Sequence, residues 1–222
     1  WQYGSIGKGT AIPEPVLHDY GNIECRDAIL AWDRVEPLTD EKGAAVTRWD
    51  GETTKTSPVT GEQVPDDGAR SPVVRYVGPK KAEWPEADFI VGNPPYIGSG
   101  RLRQALGDGY AEALRAAHDD VPDSADFVMY WWNEAAELAR AAKVRRFGFI
   151  TTNSITQTFQ QRLVAAHLGA KPPLSVVFAI PDHPWVDDSD GAAVRVAMTT
   201  GQGGQVPGVL GTVTSETDAG GD

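Results

Sequence analysis

At 222 residues, 41% of them hydrophobic and 23% charged, the chain can build one domain with a substantial core, and it has no apolar run of about 18 residues to cross a membrane. A single cysteine, Cys25, excludes a disulfide framework; with histidines scattered at 18, 118, 167 and 183, no metal site is expected. The net charge of −11 speaks against a general nucleic-acid binder living on phosphate neutralisation, but not against a catalytic domain whose grip comes from another domain.

The chain opens at Trp1 without a basic-then-apolar leader, runs loop-like through residues 1–22, and closes in a polar stretch, Thr214 to Asp222. The expectation is a piece of a longer chain in a reducing, cytoplasmic setting. "NIECRDAIL" (22–30) has the apolar content of a short buried strand ending near Asp27 and Ala28. Residues 33–86 turn rich in Pro, Gly, Thr, Asp and Lys, which predicts a β-rich insertion. "ADFIVGNPPY" (87–96) reads as a buried parallel strand entering a rigid loop. "LRQALGDGYAEALRAAH" (102–118) is helical but broken by Gly107 and Gly109, and "DFVMYWWNEAAELARAAK" (126–143) is a stronger helix. A second strand, "RFGFITTNS" (146–154), and a helix, "TFQQRLVAAHLG" (158–169), precede two strands at 174–180 and 192–200; residues 202–222 read as a polar tail or linker. The rhythm predicts an α/β fold with an open, mostly parallel sheet and one late antiparallel strand.

Asn93-Pro94-Pro95-Tyr96 sits where ligands bind in open α/β sheets, beyond the carboxyl end of a strand. The residue types suit alkylation of an aromatic amine, whose lone pair is delocalised into its ring. Two acceptors set against its two hydrogens, the Asn93 side-chain oxygen and the Pro94 carbonyl, would draw the nitrogen towards tetrahedral geometry. Consecutive prolines restrict the loop, and Tyr96 offers a ring face for a flipped base. Asn-Pro-Pro-aromatic can also arise by chance as a loop; its place after "ADFIVG" favours the chemical reading. Carbon-5 methylation of cytosine would need a nucleophilic cysteine, and Cys25 lies in no such loop.

The tetrapeptide resembles the signature of amino-group methyltransferases. The blocks "DFIVGNPPYIGSGRLRQALGDGY", "VPDSADFVMYWWNEAAELAR", "RFGFITTNSITQTFQQR" and "FAIPDHPWVDDSDGAAVRVAMTTG" resemble, in order and spacing, adenine-specific DNA methyltransferases of restriction–modification and phage-defence systems, particularly the MmeI-like class. The resemblance runs from about residue 20 to residue 201. It implies a partial, Rossmann-like class I methyltransferase domain over 1–222, lacking its first strands. It further implies methyl transfer from S-adenosylmethionine to the N6 amine of a flipped adenine in double-stranded DNA, and is compatible with a nuclease and a target-recognition domain linked in the full-length chain. An amino methyltransferase of RNA or protein glutamine, or a non-catalytic remnant, are the alternatives.

On the same resemblance, Asp27 and Ala28 match the cofactor-adenine contact, though a surface Asp ending a strand would look alike. Asp126 and Phe127 match a block shaping the cofactor pocket, with a helix cap and core packing as the plainer accounts. Asn153 and Ser154 would line the target pocket. Arg101 and Arg103 after the first loop, and Gln157, Gln160, Gln161 and Arg162 after the second strand, lie on the edge suited to DNA, although an exposed helix face would carry the same residues. His183, Pro184 and Trp185 could flank the base or cap the core. The chain departs from the family in lacking the Gly-rich cofactor loop; "GSIGKGT" (4–10) has no preceding strand and reads as an ordinary loop.

Overall fold

The computed structural model describes residues 21, 23–184 and 194–214. Near the start, residues 23–29 do not form the strand expected there, and the first strand begins only at Leu30. The Asp27 side-chain oxygen accepts from the backbone N–H groups of Ile29 and Leu30, both at 2.8 Å, and folds the segment into a turn.

A narrow arm follows, built from β1 (Leu30–Ala31), β2 (Arg34–Pro37), β3 (Thr47–Trp49), β4 (Thr54–Thr56), β5 (Gln63–Pro65), β6 (Arg70–Pro72), β7 (Val74–Val77) and β8 (Lys80–Lys81). The strands pair antiparallel, first with last: β1 with β8, β2 with β7, β3 with β6, β4 with β5. The arm thus leaves and returns at one place. Its tip is solvated, with Val59 90% exposed, whereas Ile29, Leu30 and Ala82 at its root are buried.

The main sheet contains β9 (Phe89–Gly92), β10 (Arg146–Thr152), β11 (Leu174–Pro184), β12 (Arg195–Gly203) and β13 (Val209–Leu210), in the order β13-β11-β12-β10-β9. It is a mixed sheet. β9 and β13 pair parallel with β10 and β11, while β12 lies antiparallel between β10 and β11. The stretch expected as a tail from residue 202 begins in β12 and contains β13.

Among the described residues, four α-helices accompany the sheet: α1 (Leu102–Leu106), α2 (Asp108–Ala117), α3 (Val128–Arg140) and α4 (Thr158–Gly169). The predicted helix over 102–118 breaks at Gly107, whose φ of 88° is left-handed. Gly109 does not break it. It sits inside α2, where a Cβ would run into the Val74 carbonyl of the arm, so its missing side chain lets arm and helix touch. α3 supplies the core: Trp132 is fully buried, packs edge-on against Phe147 at 5.5 Å, and donates its indole N–H to Thr199 Oγ1 at 3.2 Å. On the far face of the sheet Phe89, Val91 and Phe178 are exposed around a shallow apolar groove.

A polar network ties the helices to the arm root. Lys81 Nζ lies 2.9 Å from Glu137, 3.1 Å from Asp120 and 3.7 Å from Glu134. Asn133 donates to Asp120 at 2.6 Å and accepts from His167 Nε2 at 2.8 Å, and Arg140 approaches His167 Nδ1 at 3.3 Å. That geometry requires a neutral imidazole, protonated on Nε2 and accepting on Nδ1. Burial, with Arg140 alongside, accordingly pushes the His167 pKa down to about 4.

Candidate active site

β9, β10 and β11 run in one direction, so their carboxyl ends reach the same edge of the sheet. Gly92 stands in register with Phe149, and the chain turns out of β9 at Asn93. Beyond β10, residues Asn153–Thr156 form a 3-10 turn; late in β11, Asp182 lies in the register shift between Ile180 and His183, with Pro184 after it. Asn153 Nδ2 donates to Asp182 Oδ1 at 2.8 Å, and Arg195 also donates to Asp182, so the second loop is joined to the end of the third strand.

Within the first loop Pro94 is buried, Asn93 and Pro95 are exposed, and Tyr96 is half-buried. The Ile97 N–H bends back to the Pro95 carbonyl at 3.2 Å. The Tyr96 hydroxyl donates to Asn93 Oδ1. Burial raises the Tyr96 pKa above its ordinary value, although the bond to Asn93 opposes this, so the phenol is a protonated donor at neutral pH.

Beside this loop lies a cavity of about 690 Å³, walled by Ala28, Trp84, Asn93, Pro94, Pro95 and Trp131, with Glu24 and Arg26 also on its lining. Its size suits a small-molecule ligand. Trp84 is fixed by donating its indole N–H to the Ala28 carbonyl at 2.5 Å, and Trp131 by an edge-on contact with Phe127 at 4.6 Å. Arg26 pairs with Glu24 at 2.5 Å and donates to the Glu83 carbonyl at 2.7 Å. Two indoles and a methyl can hold a purine-like ring, and the exposed Glu24 carboxylate can accept from hydroxyls or an ammonium. These are the features an S-adenosyl cofactor presents, so the lining fits such a group. Trp84, Trp131, Glu24 and Arg26 carried no signal of their own in the sequence, because only the return of the arm brings 24–28 and 84–85 against the loop.

The other candidate residues divide. Ala28 shares the cavity with Asn93, but Asp27 turns inward, accepting from the buried Tyr110 hydroxyl at 2.7 Å as well as from two backbone donors. Phe127 is 4% exposed and packs among Tyr110, Tyr130 and Trp131. Asp126 lies outside the cavity lining and is bonded to Ser99 and Ser154. Arg101 and Gln157 are exposed, but Arg103 is engaged by Asp108 at 3.4 Å and by Glu112. Gln160 corrects the expectation of a DNA-facing side chain: it is 4% exposed and accepts from the Asp126 N–H at 3.2 Å. Trp185 and residues 4–10 lie outside the described residues. Among the described residues no group of three or more His, Cys, Asp or Glu could hold a metal, and no helix is long and apolar enough to cross a membrane.

Comparison with known proteins places these features in context. A family model described as the MmeI DNA-methyltransferase domain matches residues 8–205, most of the chain. A solved structure of the Type IIL restriction-modification enzyme MmeI in complex with DNA is 24% identical, with a TM-score of 0.43, covering 57% of this chain and 17% of that chain. The chain therefore spans a small part of that enzyme's length. No curated protein matches.

Proposed function

The chain belongs to the MmeI DNA-methyltransferase domain family, and from that premise we propose that it transfers a methyl group from S-adenosylmethionine to the N6 amine of adenine in DNA, within restriction–modification or phage defence. The observation that carries the reading is the Asn93–Tyr96 loop at the carboxyl edge of the sheet, with the cavity holding Ala28 and Trp131 directly beside it. The main sheet, with β9 and β10 parallel and β12 reversed, is read as the later part of a Rossmann-like methyltransferase sheet.

When bound, S-adenosylmethionine would supply an electrophilic methyl on a sulfonium, whose C–S bond breaks as the new N–C bond forms, so that the neutral thioether is the leaving group. Trp131, Trp84 and Ala28 would hold its ring, and Pro94 and Pro95 would wall the cavity beside it. Asn93 Oδ1 accepts one hydrogen of the adenine amine and the Pro94 carbonyl accepts the other, which localises the nitrogen lone pair for in-line attack. The Tyr96 ring stacks on the extruded base. The methylated nitrogen then gives up a proton to solvent, and no covalent enzyme intermediate is required. Positioning supplies most of the acceleration. At the same edge Asn153 lines the target side, with Arg101 and Gln157 placed for the strand backbone.

The test is transfer of labelled methyl from S-adenosylmethionine to duplex DNA of mixed sequence, to RNA and to protein in parallel, followed by digestion and identification of the product. N6-methyladenine from DNA is expected. Label confined to RNA or protein would keep the chemistry and overturn the substrate, and 5-methylcytosine would overturn the role of the loop.

A further inference from the structure

Asp126 stands two residues ahead of α3, behind the loop that carries Asn93. Its Oδ1 accepts from the Ser99 backbone N–H at 3.0 Å, and its Oδ2 accepts from the Ser154 hydroxyl at 2.6 Å. Ser99 belongs to the segment that leaves β9, and Ser154 to the turn that leaves β10. One carboxylate therefore joins the two loops of the candidate active edge. The backbone reinforces the join: Phe127 N–H donates to the Ile97 carbonyl at 2.8 Å, and Asp126 N–H to the buried Gln160 of α4. Ser154 is itself shared with Thr152 Oγ1 at 2.6 Å.

The loop needs such a tether. Gly98 and Gly100 flank Ser99, and glycine leaves the backbone more conformations to lose than any other residue. Hydrogen bonds to an ionised acceptor are roughly twice as strong as neutral ones, so a carboxylate is well suited to hold a glycine-flanked N–H. The same carboxylate does not line the cavity beside Asn93.

We propose that Asp126 is a positioning residue: its carboxylate latches the segment following Asn93–Tyr96 to the Ser154 turn, and so fixes the direction in which the Asn93 oxygen faces the substrate. This rests on the methyl-transfer reading above. Asp126 acts through the loop and does not touch the cofactor.

The closing experiment compares the unaltered protein with Asp126→Ala and Asp126→Asn by hydrogen exchange, equilibrium dialysis of S-adenosylmethionine and methyl transfer to DNA. An Asn side chain keeps an acceptor for Ser99 and offers a donor to Ser154 Oγ, so it preserves both links without the charge. Asp126→Ala is expected to speed exchange in peptides covering 96–101 while the arm over 30–81 stays unchanged. It should lower kcat by about 10- to 100-fold, the effect of a small misplacement, with cofactor affinity within about twofold; Asp126→Asn should restore exchange and most of kcat. A parallel loss of cofactor affinity in both variants would make Asp126 a cofactor ligand and overturn the proposal. Faster exchange throughout the chain, or unchanged exchange at 96–101, would equally overturn it. Absence of methyl transfer by the unaltered protein would overturn the reaction instead, and the exchange data would still decide whether the latch exists.

Discussion

The Tyr96 hydroxyl donates its proton to Asn93 Oδ1, the oxygen that the proposed reaction reserves for the substrate amine. Without substrate one lone pair of that oxygen is satisfied from within its own tetrapeptide, and the amine shares the acceptor with the phenol or displaces it. Tyr96→Phe keeps the ring and removes the competitor. A net hydrogen bond is worth about 0.5–1.5 kcal/mol, so kcat/KM should stay level or rise by up to about tenfold. Tyr96→Ala also loses base stacking, about 1–3 kcal/mol, and should lower kcat/KM by about one to two orders of magnitude. Steady-state methylation kinetics on the two variants check this; a Phe variant as impaired as the Ala variant would give the hydroxyl a direct part in the chemistry.

The arm and α2 meet at Gly109, and that contact reverses an ordinary substitution rule. Gly→Ala inside a helix normally stabilises by about 1 kcal/mol. At Gly109 the new methyl would meet the Val74 carbonyl, so Gly109→Ala should destabilise by about 1–3 kcal/mol. Gly169, at the end of α4 with open space around it, is the control: Gly169→Ala should be neutral or stabilising. Urea denaturation midpoints of the two variants decide the matter.

His167 makes stability depend on pH. Its folded pKa of about 4 lies below the ordinary value of 6.5, so the unfolded chain binds the proton more readily. The stabilisation is complete above about pH 6.5, falls as the pH drops towards 4, and levels off below that. The whole effect is on the order of 3 kcal/mol. Burial also lowers the pKa of His118, which adds in the same direction. In denaturation series between pH 4 and 7, His167→Gln should show a shallower fall than the unaltered protein.

That Asn93 and Asn153 follow strands ending at one edge was legible, because strand direction alone decides it. "ADFIVG" and "RFGFITT" each end in a polar loop, and parallel neighbours end at one edge. The apolar run in "NIECRDAIL" misled, because composition cannot show that Asp27 spends its oxygens on the backbone of Ile29 and Leu30. Gly109 misled for a related reason: a glycine required by the approach of Val74 from the arm looks, in one dimension, like a helix breaker. Gln160 lay on the correct segment, but whether a helical side chain faces solvent or core depends on the packing against Asp126. The cavity beside Asn93 needed the return of the arm, a long-range closure that no local pattern carries.

Arg101 and Arg103 separate electrostatically. Arg103 is held by Asp108 and Glu112, whereas Arg101 makes no ion pair among the described residues. If DNA is the partner, Arg101→Ala should reduce the slope of log affinity against log salt by about 0.9, the share of one phosphate contact, and Arg103→Ala should leave it unchanged. Binding titrations at several salt concentrations test this, and equal slopes for both variants would remove Arg101 from the interface.

The most direct test of the central claim is methyl transfer to DNA by Asn93→Ala, with S-adenosylmethionine binding measured on the same protein. Loss of the amine's acceptor should reduce N6-methyladenine formation by at least about two orders of magnitude, the scale set by removing one transition-state hydrogen-bonding partner, while cofactor affinity stays close to that of the unaltered protein. N6-methyladenine formed at an undiminished rate by the Ala variant would contradict the account.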